Sequence, residues 1–132
     1  PYYEVRQYAL RGLIPFAEQA RGDVEVIAAI ARRLADTHFE VVPVAAKALA
    51  ELAVDPSAFA QLKPLLADPR WPVRGAAADG LRRLYDRQVF TDADALRDAL
   101  SAMLLTSEMI EPVFPLKRVV KKAMQGLPEK EK

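Results

Sequence analysis

The 132-residue sequence contains no cysteine and a single histidine, His38. Disulfide frameworks, thiol chemistry, thiolate zinc sites and histidine-cluster metal sites therefore have nothing to be built from. Long apolar runs are missing as well: a membrane-spanning helix needs about 18 or more consecutive apolar residues, and charge interrupts every stretch here sooner. The opening Pro1-Tyr2-Tyr3-Glu4 lacks the basic, apolar and small-residue order of a signal peptide, and it lacks Met, so a fragment or processed product is expected. Charge of one sign is also scarce, with 19 Lys and Arg against 18 Asp and Glu. With 52% hydrophobic residues, the chain is too apolar and too nearly neutral to be disordered. One domain of soluble, cytoplasmic character is expected, with no cofactor and no metal.

What is present is a repeat. Four segments align without gaps: Tyr3 to Leu13, Phe39 to Leu49, Trp71 to Leu81 and Phe114 to Met124. Each opens on an aromatic (Tyr3, Phe39, Trp71, Phe114), followed two positions on by Val5, Val41, Val73 or Leu116. Tyr8, Val44, Ala76 and Val119 share the next apolar column, and Leu13, Leu49, Leu81 and Met124 a later one. These offsets trace one face of an α-helix and do not fit strand alternation. Pro72 and Pro115 stand at the helix start, where a missing N–H has no intrahelical partner to lose. Pro43 lies three residues further in than that column and is expected to loosen the start of its helix by one hydrogen bond.

Second helices are expected between these, over Asp23 to Ala35, Pro56 to Ala67 and Asp92 to Leu105, with Asp23, Asp55 and Thr91 or Asp92 as N-caps. Pro64 is expected to bend its helix. The valine column recurs at spacings of 36, 32 and 43 residues. Two-helix units of that length cannot bury their apolar faces alone and must stack. The expected organisation is a half unit over 1–20, units at about 23–54, 55–88 and 91–127, and a tail over 128–132, cut from a longer array.

Asp68-Pro69-Arg70-Trp71-Pro72-Val73-Arg74, followed by a run of small residues to Leu81, resembles the signature of HEAT-repeat proteins, the armadillo-like α-solenoids. The resemblance covers nearly the whole chain. It implies an all-α fold, a right-handed α-α superhelix of helical hairpins with about seven helices. It also implies a ladder in which a turn carboxylate meets a basic residue six positions later, as Asp68 with Arg74 and Glu111 with Lys117. In the second unit the residue six after Asp36 is Val42, and the carboxylate partner of Arg6 would precede Pro1, so the ladder is expected to be broken there.

No catalytic constellation is visible. His38 has no triad partner and reads as a surface or capping histidine, and Gly12, Gly75 and Gly80 read as helix-packing positions rather than a phosphate loop. Asp92, Asp94 and Asp98 read as partners of a helix N-terminus rather than calcium ligands. The opening aromatics are expected to pack the turns, with Trp71 the one candidate anchor for a partner. The linker Thr106 to Pro115 carries Met109, Ile110, Val113 and Phe114 and is expected to fold back on the last hairpin.

The outward columns of the aligned helices carry the binding candidates. One holds Gln7, Pro43, Gly75 and Arg118, the next Arg11, Lys47, Asp79 and Lys122, and a further turn adds Glu51 and Arg83. The resemblance places these helices on the concave side and so implies a mixed but mainly basic inner groove; a merely solvated helix face remains the alternative. From Lys117 onward the balance is +4 on a −3 body, which suits either a polar cap for the array or a surface that meets nucleic acid or an acidic protein.

The expected function is accordingly a non-enzymatic HEAT-repeat interaction or scaffold module that binds a protein partner along its concave face. The alternatives are a nucleic-acid-binding domain similar to HEAT-like DNA glycosylases, or a HEAT-like lyase or accessory domain of a larger enzyme. The diiron hydroxylases built on this repeat use His-Glu pairs, which this chain lacks.

Overall fold

The computed structural model describes residues 2–38, 40–110 and 116–128; the side chains of 104–110 and 116–117 fall outside that description. The chain is built from α1 (Tyr3–Leu13), a 3₁₀ turn and α2 (Ala17–Ala20), then α3 (Val24–Arg32), α4 (Val41–Leu52), α5 (Ser57–Leu62), α6 (Trp71–Asp86), α7 (Ala93–Ile110) and α8 (Leu116–Met124). With α2 continuing α1, these make seven helical rods among the described residues, with no strand there. The all-α array of hairpins is thus present.

Local chemistry sets the helix ends. The Asp23 carboxylate accepts from the backbone N–H groups of Glu25 and Val26, both at 3.1 Å, and caps α3. Asp55 accepts from Ser57 N–H at 2.8 Å ahead of α5, and Asp92, rather than Thr91, accepts from Ala95 N–H at 3.0 Å ahead of α7. Each satisfies donors that a helix start leaves without a partner. Pro43 does no damage, contrary to expectation, because α4 begins at Val41 and so places Pro43 in the first turn, where no intrahelical bond is lost. At Pro64 the helix tightens into the 3₁₀ segment Lys63–Ala67. Helix α7 runs to Ile110, beyond the expected Leu105, and so absorbs half of the linker. No Gly or Pro interrupts it until Pro112, and the residue before a proline disfavours helical geometry. The remainder of that linker, with Glu111, lies outside the described residues.

The helices form two layers. Helices α1, α4, α6 and α8 lie side by side and make the most extensive inter-helix contacts of the fold, while α3, α5 and α7 form the other layer. Small side chains allow this: Ala45, Ala46, Ala48 and Ala50 of α4 and Ala77, Ala78 and Gly80 of α6 are all buried. A Cβ on Gly80 would sit 3.1 Å from Leu62 Cδ1 of α5 and 3.5 Å from the Ala46 carbonyl of α4, so Leu62 would have to give way there. Leu49, Leu52, Leu81, Leu84, Leu96 and Leu100 are fully buried between the layers, each contributing about 1.5–3 kcal/mol of burial free energy.

The valine column shows where the core ends. Val41 and Val73 are 0% exposed, while Val5 is 65% exposed, as is its helix neighbour Tyr8 at 64%. Among the described residues, α4 and α6 each pack between two helices of their own layer, whereas α1 meets mainly α4.

Candidate functional site

The outward faces of α1, α4 and α6 enclose a groove of about 640 Å³. Its floor is made by Ile14, Pro15, Pro43, Val44, Ala50, Ala76 and the Gly80 backbone, and its charged lining by Arg11, Lys47, Glu51, Asp79 and Arg83. Ala50 and Ala76, each with a single methyl, leave space between α4 and α6 there. A second depression of about 460 Å³ shares Asp79 and Arg83 and continues to Lys122 of α8. Five of the residues expected on the concave face therefore line one groove, and Lys122 lines its extension.

Two others stand differently. Gln7 donates to the Glu40 carbonyl at 3.2 Å, tying α1 to the turn before α4, and lines neither depression. Arg118 is exposed on α8 outside both depressions.

The charges in the groove are arranged unevenly. Glu51 accepts from Arg83 at 2.7 and 3.2 Å and meets Arg21 at 3.7 Å. Asp79 stands between Lys47 and Lys122; desolvation pushes its carboxyl above the usual carboxylate range, opposed by Lys122 and then Lys47. A carboxylate raised by desolvation and a set of cations kept in water describe a surface able to take charged side chains of a partner.

Three arginines that the repeat columns do not contain complete the inner layer. Arg21 Nε donates to the Glu51 carbonyl at 2.8 Å and Arg87 Nη1 to the Ala50 carbonyl at 2.6 Å, both at the C-terminal end of α4. Arg82 does the same for α8, donating to the carbonyls of Ala123 at 3.1 Å and Gln125 at 2.6 Å while its Nε holds Asp86 at 2.9 Å. Cations at helix C-termini satisfy orphan carbonyls and oppose the negative end of the dipole.

The expected ladder takes another form. Arg74, buried in α6, donates to the backbone carbonyl of Asp68 at 2.7 Å, while Arg70 forks onto the Asp68 carboxylate at 2.8 Å through Nε and 2.8 Å through Nη2. Glu111 and the Lys117 side chain lie outside the described residues. In the first two units the residues that lacked a partner find each other across the repeat: Arg6 forks onto Asp36 at 2.7 and 2.8 Å. Arg33 joins at 3.2 Å and the His38 N–H at 2.9 Å. The Arg6 fork, with help from the His38 N–H and Arg33 against the opposing effect of burial, lowers the Asp36 pKa to about 2. His38 accepts the Glu40 N–H through Nδ1 at 3.2 Å, a capping role, and its ring stacks on Tyr3 at 3.6 Å.

Of the opening aromatics, Tyr3 packs the turn as expected, and Trp71 is 52% exposed. Phe39 and Phe114 lie outside the described residues. Asp94 pairs with Arg97 at 3.1 Å. No described helix is long and apolar enough to cross a membrane.

A protein-family model described as HEAT repeats matches residues 1–82, more than half of the chain and the span that contains α1 through most of α6. Searches of curated proteins and of solved structures give no match.

Proposed function

We propose that this chain, which belongs to the HEAT-repeat family, is a non-enzymatic binding module whose concave face, formed by α1, α4, α6 and α8, holds a protein partner. Repeats of this family commonly serve as protein-interaction modules. The observation that carries the reading is the groove: an apolar floor rimmed by Arg11, Lys47, Glu51, Asp79 and Arg83, drawn from three successive repeats. Contact spread over successive repeats is what a solenoid offers a long partner surface, while the interior of each repeat only stacks. An apolar centre with a polar rim is also the anatomy of a protein interface.

Photo-crosslinking tests this directly. A photoreactive residue placed at Lys47 or Ala76, in the groove, is expected to give discrete protein adducts in cells, whereas one at Gln61 or Ala29, on the outer layer, is not. Adducts from the outer positions alone, or none from the groove, would overturn it.

A further inference from the structure

Beside the groove, at the C-terminal end of α4, two guanidinium groups meet the Glu51 carboxylate and a third holds a carbonyl of the same helix end. Arg83 of α6 forks onto Glu51 at 2.7 and 3.2 Å, and Arg21 approaches it at 3.7 Å while holding the Glu51 carbonyl. Arg87 holds the neighbouring Ala50 carbonyl at 2.6 Å. Arg87 thus spends one N–H donor on the backbone, while Arg21 spends Nε there and turns Nη2 toward the Glu51 carboxylate. Asp86, one helical turn after Arg82, is engaged by it at 2.9 Å. The negative end of α4 is worth about half a charge, so three positive charges face roughly one and a half negative ones. The crowding registers at Arg87, whose pKa is lowered first by burial and then by Arg21, with Arg83 adding to it against the pull of Glu51.

We propose that Arg21, Arg83 and Arg87 form a carboxylate anchor for an acidic, apolar-sided peptide segment of the partner, seated along the groove. This inference rests on the concave-face reading and adds the partner's chemistry to it. Guanidinium forks suit carboxylates because two parallel N–H donors match two oxygens. The rest of the groove completes the match: Ile14, Val44 and Ala76 offer apolar surface, and Arg11 and Lys47 add two exposed cations to the lining. Nucleic acid fits less well. The groove lining contains no aromatic ring on which a base would stack, and Glu51 and Asp79 break the continuous positive track that a phosphate backbone follows.

The test uses the whole chain and a fluorescein-labelled peptide of repeated Glu-Glu-Leu-Phe units, with the Gln-Gln-Leu-Phe peptide and a duplex oligonucleotide as comparators. The acidic peptide is expected to bind at least about tenfold more tightly than the Gln form, and Arg83→Gln to weaken it about tenfold. Arg83→Lys, which keeps the charge but loses the fork, is expected to fall between. Arg83 holds no helix end, so its variants are expected to keep the fold, and circular dichroism checks this; Arg21→Gln supplies a second variant. Equal binding of the two peptides, or a folded Arg83→Gln protein that binds as the wild type does, would overturn the anchor. Tighter binding of the oligonucleotide than of the acidic peptide would overturn it too. The concave-face reading fails separately, on the absence of groove crosslinks.

Discussion

Asp36→Asn isolates the joint between the first two repeats. The Asp36 side chain is 1% exposed and receives the Arg6 fork, Arg33 and the His38 N–H, so the substitution removes the charge from a site built to hold one. Its pKa of about 2 against 3.8 for an unperturbed carboxyl corresponds to about 2 kcal/mol of stability. Arg6 and Arg33 remain partly in water, at 25% and 40% side-chain exposure, and solvent screening trims the expected loss to about 1–2 kcal/mol. The sign of the pH dependence follows from the lowered pKa. The ionised group stabilises the fold fully above the unfolded pKa near 3.8, and the contribution fades as pH falls from about 5 toward 2. Urea denaturation of wild type and Asp36→Asn at neutral pH and at a series of acidic pH values measures the gap. It is expected to be about 1–2 kcal/mol at pH 7 and to close near pH 2. Arg6→Gln is expected to lose a similar amount, and the double variant less than the sum. A gap that persists unchanged in acid, or a fully additive double variant, would refute the reasoning.

Three further predictions concern packing. Val41→Ala and Val73→Ala, in the column's buried interior, are expected to cost about 2–3 kcal/mol each, whereas Val5→Ala in the same column is expected to stay within about 0.5 kcal/mol; equal losses in denaturation would contradict the burial gradient. Gly80→Val pushes a branched side chain against Leu62 and the Ala46 carbonyl and is expected to lower stability by about 1–3 kcal/mol, read as a lower thermal midpoint. Gln88, exposed after α6, has φ of 64°, so Gln88→Gly is expected to raise stability by about 0.5–1 kcal/mol in the same melts, relieving left-handed strain.

The period of the aligned helices and the caps at Asp23, Asp55 and Asp92 were legible because they depend on neighbours within one helix or turn. The outward columns likewise named Arg11, Lys47, Glu51, Asp79 and Arg83, since a helix face is fixed by its period. The Arg6–Asp36 fork was not legible: a search for partners six positions apart looks within a unit, and this pair spans 30 positions between units. Arg21 and Arg87 escaped for a related reason. They sit in or beside turns, off every column, and their roles depend on where the next helix ends. Trp71 reads in the sequence as a partly exposed indole, and it is 52% exposed; the stacking of Tyr3 on His38 at the equivalent position is a contact that sequence alignment does not supply.

The concave groove as the binding face is tested most directly by amide chemical-shift mapping of the labelled chain during titration with the acidic peptide. Shifts are expected at Arg11, Lys47, Ala76, Asp79 and Arg83 and at the α4 C-terminus near Glu51, with α3 and α5 quiet. Shifts confined to the outer helices, or to the exposed Val5 and Tyr8 end of α1, would contradict the account.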